Sequence, residues 1–203
     1  MFPFELVGKT AGSDMERPRN HEVPSRLISV PKTAKAPRLI AAEPTAQQYC
    51  QQMVWRYLRE RVETVFEGCF INFRRQDLSS ELVVKSSLDR SLATVDLSSA
   101  SDRLTCWTVE RIFRRNSSLL SALHAARTRW IRDDISDSPS FLRLKKFASQ
   151  GSATTFPVQS IVFLVLALSV SIKGPISWSS IRKTRNQVRV FGDDIIIPSH
   201  GYG

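Results

Sequence analysis

The sequence predicts an α+β fold in which an antiparallel sheet is backed by helices. Three observations carry that expectation. Short β-branched runs such as Leu92–Asp96 and Val188–Ile197 alternate with longer stretches of helical spacing. The composition is 42% hydrophobic over 203 residues, enough for a packed core in one sizeable domain or a piece of a larger protein. Neither an internal repeat nor a low-complexity tract interrupts the pattern.

Residues 1–25, rich in Pro and charge, are expected to be loop. Arg26–Val30 alternates as a strand, Pro31–Pro37 is a basic loop, and Leu39–Ala42 is a second short strand. After Pro44 a helix runs from Thr45 to about Val65, with Tyr49, Met53, Val54, Tyr57, Leu58 and Val62 at helical spacing. Phe70–Ser91 is mixed and gives no clear element. A strand over 92–96 precedes a helix over 102–115 and another over Ser118–Arg132. Asp133–Ser140 is a polar turn and Phe141–Phe147 a strand. Ser149–Thr154 is a small-residue loop leading into the apolar helix Phe156–Ile172, whose most apolar part, Ile161–Ile172, is too short to cross a bilayer. Lys173–Ser180 connects it to a closing hairpin.

Charge narrows the function. The net charge of +10 suits a polyanionic partner. Arg26–Arg38 holds four cations and no acid, Lys173–Arg189 five and no acid, and Arg103–Lys146 ten cations against four acids. One such run is an ordinary solvated face. Three around an acidic centre suggest a channel for nucleic acid and triphosphate. Cys50, Cys69 and Cys106 are scattered and odd in number, which supports neither a disulfide framework nor a zinc site. His21, His124 and His200 are read as structural or exposed. The first ten residues lack the features of a signal peptide.

Two acidic motifs carry the chemistry. In Val188–Ile197, Gly192-Asp193-Asp194 sits between apolar β-branched runs and reads as a hairpin with two carboxylates at its tip. A structural turn needs one Asp or Asn, not two that repel each other, so a hard divalent cation is the better explanation. In the second motif, a strand ends at Asp96, a Ser cluster follows, and Asp102 opens a helix. A helix cap alone would explain one of these residues but not both aspartates. Side-by-side strands would bring Asp96 next to Asp193, giving three carboxylates for a two-metal transfer site. In Ser149–Gln159, Gly151 allows close backbone approach, and Thr155 and Gln159 share a helical face from which they could meet a ribose 2′-OH.

In order and content these motifs resemble the palm of a viral RNA-dependent RNA polymerase, nearest to the replicases of positive-strand RNA bacteriophages of the levivirus type. Val30–Pro44 is similar to the family's basic fingers motif, Ala93–Asp102 to its first palm motif, Gly151 with Thr155 and Phe156 to its second, and Phe191-Gly192-Asp193-Asp194 to its third. Phe191 replaces the family's usual Tyr. The resemblance implies a right-hand polymerase fold: residues 1–29 and 30–91 as part of the fingers, and 92–203 as palm. The thumb is missing, so the chain is expected to be a partial replicase, inactive alone. It further implies that Asp96, Asp193 and Asp194 hold two Mg²⁺ ions, with Mn²⁺ able to substitute. Lys32, Lys35 and Arg38 would meet nucleotide phosphates, Ser101 or Asp102 the ribose, and Gly151, Thr155 and Gln159 the template and nucleotide. Implied partners are template and product RNA, NTPs, host translation factors and a ribosomal protein, in the host cytoplasm and without a membrane. A reverse transcriptase palm and a non-catalytic basic RNA-binding protein are the rival readings.

Overall fold

A computed structural model describes residues 23–32 and 37–202. The chain forms two compact units that interleave in sequence. One joins the residues up to Trp55 with Ser101–Thr155, and the other joins Arg56–Ala100 with the residues from Phe156 onward.

The first unit is built on a four-stranded sheet of order β2-β1-β4-β5. β1 (Ser25–Val30) and β2 (Arg38–Ala42) form an antiparallel hairpin whose register sets Val30 opposite Arg38. Arg38 is thus the first residue of β2, paired with the last residue of β1. β4 (Trp130–Asp133) runs parallel to β1 and antiparallel to β5 (Ser140–Arg143). The sheet is thus mixed, where the sequence suggested an antiparallel one. Ala41, Ile131 and Leu144 form a small core on it, with Leu27 packed alongside.

The helix expected over Ser118–Arg132 is shorter, and its end is a strand. α5 (Ser117–Ala126) stops because Arg127 is extended, its buried guanidinium bridging the carbonyls of Leu144 (2.9 Å), Lys146 (2.8 Å) and Phe147. Those bonds satisfy the backbone beyond β5, so the chain gains more by turning into β4 than by continuing the helix. The helix expected over 102–115 is two pieces, α3 (Ala100–Arg103) and α4 (Cys106–Phe113). Thr105 ends one and caps the other, accepting from the Thr108 amide.

The second unit carries a three-stranded antiparallel sheet of order β3-β7-β6. β3 is Leu92–Asp96, β6 Arg189–Phe191 and β7 Asp194–Pro198. The undetermined stretch before β3 contains α2 (Asp77–Ser86). α6 (Thr155–Ser171) fills much of the interior, with Val158, Val162 and Leu164 almost wholly buried. A short helix, α7 (Trp178–Lys183), lies in the connector and stacks Trp178 on Phe66 at 6.0 Å.

The first long helix, α1 (Thr45–Phe66), matches expectation in extent but not in face. Leu58 and Val62 are buried together with Gln51, whereas Tyr49, Met53 and Tyr57 are exposed. The buried face is set by positions seven and eleven residues after Gln51, a stripe that the aromatic residues obscured.

Candidate functional site

The second unit holds the acidic centre. β3 and β7 pair so that Asp96 lies directly opposite Asp194. Residues opposite on adjacent strands share a face with Cβ atoms about 5 Å apart, and like charges there repel. The sequence reading set Asp193 beside Asp96. The register gives that place to Asp194, while Asp193 sits in the two-residue turn closed by the Phe191–Asp194 pair. All three carboxylates are exposed, and Gln76 Nε2 donates to Asp194 Oδ2 at 3.4 Å.

The turn is held from behind. Gly192 has φ +67°, and Asp193 is not among the residues of positive φ, the sign pattern of a type II′ turn with Gly first. A Cβ on Gly192 would stand 2.7 Å from Phe156 Cε2. The Gly192 amide donates to Ser160 Oγ at 3.0 Å, and Ser160 donates to the Phe156 carbonyl at 2.9 Å. The Phe191 and Phe156 rings meet edge-on at 5.0 Å, so the ring retained at position 191 packs without needing a hydroxyl. Behind β6, buried Arg189 donates to the carbonyls of Cys69 (3.0 Å), Arg75 (3.2 Å) and Gly68 (3.4 Å). These bonds fix the segment leading to Gln76.

The first unit holds the remaining motif residues apart from Gln159. Lys32 and Arg38 are exposed, and Lys35 lies outside the described residues. Ser101 is buried, with Gln150 Nε2 donating to its hydroxyl at 3.4 Å. Asp102 is exposed and paired with Lys146 at 2.5 Å. Gly151 is exposed, but the side on which a Cβ would stand is closed. Its φ is +113°, and a Cβ there would stand 2.0 Å from the Ala41 carbonyl oxygen. The Ala41 amide donates to the Gln150 carbonyl at 2.7 Å, docking the loop on β2. Thr155 is buried and donates to the Ser149 carbonyl at 2.7 Å, closing the same loop. In the second unit Gln159 is also buried. Thr155 and Gln159 thus lie beneath the surface, where their first effect is on packing.

Residues that the sequence reading passed over support these loops. Gln51 accepts from the Ala153 amide at 3.1 Å and donates to the Ala126 carbonyl at 3.0 Å and Glu43 Oε2 at 3.1 Å. Thr128 donates to the same Glu43 oxygen. Burial pushes the Glu43 carboxyl above its usual range, against the pull of those two bonds and the Arg127 charge. A polar residue recurring within an otherwise apolar helical stripe, as Gln51 and Ser160 do, is the signal that would have found them.

The donor set suits a hard cation, being carboxylate oxygen alone. Among the described residues, no group of three or more His, Cys, Asp or Glu converges closely enough to hold a metal ion. The pair Asp96 and Asp194 is brought together, and Asp193 stands apart at the tip.

The family model described as RNA replicase, beta-chain, matches residues 4–202. The chain belongs to the RNA replicase β-chain family. It is 31% identical over 199 residues to the RNA-directed RNA polymerase subunit beta of Enterobacteria phage SP, covering 97% of this chain and 32% of that protein. Against the RNA-directed RNA polymerase beta chain of Enterobacteria phage GA it is 31% identical over 175 residues, 85% of this chain and 29% of that one. Against the subunit beta of Escherichia virus Qbeta it is 30% identical over 177 residues, 86% and 27% respectively. The chain therefore spans about three tenths of the length of the curated relatives it matches. No helix among the described residues is long and apolar enough to cross a membrane.

Proposed function

We propose that this chain is the palm and part of the fingers of an RNA-directed RNA polymerase, which copies RNA by transferring nucleotides from NTPs to a 3′-OH with release of pyrophosphate. The observation that carries this reading is Asp96 placed opposite Asp194 beside the Gly192–Asp193 turn. A fold does not retain two exposed carboxylates in cross-strand opposition for stability, so they serve a cation.

When bound, two Mg²⁺ ions, or Mn²⁺ in their place, supply activation of the 3′-OH and charge neutralisation on the triphosphate and departing pyrophosphate. Asp96, Asp193 and Asp194 would hold them. The Ser160 bond to the Gly192 amide orients the turn that carries Asp193. Lys32, Lys35 and Arg38 would meet the nucleotide phosphates, Arg38 as a bidentate donor. The exposure of Asp102 and burial of Ser101 favour Asp102 as the ribose contact, with Lys146 orienting its carboxylate. Template and product RNA and NTPs are the partners in the infected host cell. Host translation factors and a ribosomal protein, partners that the resemblance implies for some members, are the further partners of this proposal.

The test is RNA-templated nucleotide incorporation by the reading frame that contains these residues, and by the same protein carrying Asp193→Asn. Incorporation should require a divalent ion and Asp193, and should fail on a DNA template with deoxynucleotides. Incorporation that survives Asp193→Asn would refute the metal assignment. RNA binding without incorporation in the unaltered protein would favour a binding protein whose carboxylates have lost their chemistry.

A further inference from the structure

We infer that the outer face of α4 is a docking surface for single-stranded RNA, separate from the acidic centre. Trp107 is 69% exposed in the first turn of this helix. Arg111 and Arg114 follow it by four and seven residues, so all three lie within about 60° of one another around the axis, at steps of roughly 6 and 4.5 Å. Arg103 and Arg115, at the two ends of the segment, are exposed as well. Among the described residues, no hydrogen bond or ion pair engages any of these four arginine side chains.

The neighbouring acids do not neutralise them. Asp102 is held by Lys146 at 2.5 Å, and Glu110 turns inward, with Oε1 3.4 Å from the buried His124 Nε2. α5, which packs against α4, contains no acidic residue. A lone exposed Trp is ordinary on a protein surface. An exposed indole on one helical face with Arg111 and Arg114, which like Arg103 and Arg115 have no partner among the described residues, has one well-matched occupant, a polyanion that also offers unpaired aromatic faces. Bases stack on the indole while the arginines track the phosphates. A duplex, with its bases already stacked, cannot use Trp107. This inference shares RNA as a partner with the proposed function but requires none of its chemistry.

The probe is a labelled, unstructured single-stranded RNA of about twelve nucleotides, within the length such surfaces cover, beside a duplex of the same sequence. Binding is followed by fluorescence anisotropy across a salt series. Trp107→Ala should weaken single-strand binding about five-fold or more, the loss of one base stack. Trp107→Phe should recover much of it. Arg111→Ala should reduce the slope of log affinity against log salt by about 0.7, the loss of one phosphate contact on a single strand. Circular dichroism of each variant checks that the fold is kept. Unchanged affinity and slope in folded variants would overturn the inference, as would equal binding of the duplex. Incorporation that still depends on Asp193 in those same variants would leave the proposed function standing while this surface falls.

Discussion

Gly151→Ala should destabilise the protein well beyond what its backbone angle alone would cost. Two terms combine. A φ of +113° is a conformation that an L-residue adopts only with strain, of order 1–3 kcal/mol. In addition the new methyl would stand 2.0 Å from the Ala41 carbonyl oxygen, a backbone atom unable to swing aside. Relief requires the loop to withdraw by more than about 1 Å, the shortfall from ordinary van der Waals contact, which breaks the 2.7 Å bond from the Ala41 amide to the Gln150 carbonyl. Losing that bond beside a buried residue costs about 1–3 kcal/mol more. Gly174 provides the control. It has φ +100°, but a methyl added there would meet nothing within 4 Å, so Gly174→Ala carries the strain without the clash. Thermal unfolding followed by far-ultraviolet circular dichroism compares the two. Gly151→Ala should melt at least about 2 °C below Gly174→Ala, taking roughly 2–4 °C per kcal/mol for a chain of this size. Equal melting temperatures would show that the loop is not docked on β2, and the role given to Gly151 would fall.

Ser160→Ala removes the acceptor of the Gly192 amide inside the fold, and should cost about 1–3 kcal/mol by denaturant titration while lowering the rate of incorporation more than the nucleotide affinity. Asp96→Asn relieves the repulsion across β3–β7 and should stabilise the fold slightly, by about 1 kcal/mol or less, read as a small rise in melting temperature. Calorimetry with added Mg²⁺ should then stabilise the unaltered protein but not this variant, and equal stabilisation of both would remove Asp96 from the ion site. Burial, reinforced by the Arg127 charge, holds the His124 imidazole down at about 4. The unfolded chain therefore takes up its proton first as pH falls below about 6.5, and stability should drop by about 2 kcal/mol between pH 7 and 5. Glu110, raised by burial, acts in the opposite sense at the lower end of that range. His124→Gln should flatten the profile, and a slope unchanged in that variant would refute the assignment.

The acidic centre was legible because its signals are local. A Gly between β-branched runs forces a tight turn, and the carboxylates are read directly from their positions beside it. What the sequence could not supply was register. Shifting the pairing of β3 and β7 by one residue exchanges Asp193 for Asp194 as the partner of Asp96, and nothing within either strand decides between them. The end of α5 failed for a different reason. Ser118–Arg132 has helical composition, but the buried Arg127 guanidinium satisfies three carbonyls beyond β5 and turns the chain. That is a tertiary bond overriding local propensity, invisible in a window of neighbours. On α1 the error was one of rotation. Tyr49, Met53 and Tyr57 make a convincing stripe at helical spacing, yet all three are exposed while Gln51 is buried. Hydrophobicity located the helix and misplaced its inner face, because a buried amide with three partners is as well accommodated as an apolar side chain.

The same distinction separates the residues that hold the motif loops from the residues proposed to act. Each motif glycine is pressed against a fixed neighbour, Gly151 on a strand carbonyl and Gly192 on an aromatic ring. Each loop is tied by one buried polar side chain on a helix, Gln51 for the first and Ser160 for the second. By contrast Asp96, Asp193, Asp194, Asp102, Lys32 and Arg38 are all exposed. An exposed carboxylate or cation contributes little to folding, and the Asp96–Asp194 opposition costs stability outright. Selection for stability alone would remove that opposition and would keep the glycines and their anchors. The proposed ion site would need this combination of strain-bearing supports and an opposed acidic pair, since its ligands must be held in place before the ion that makes their proximity favourable arrives.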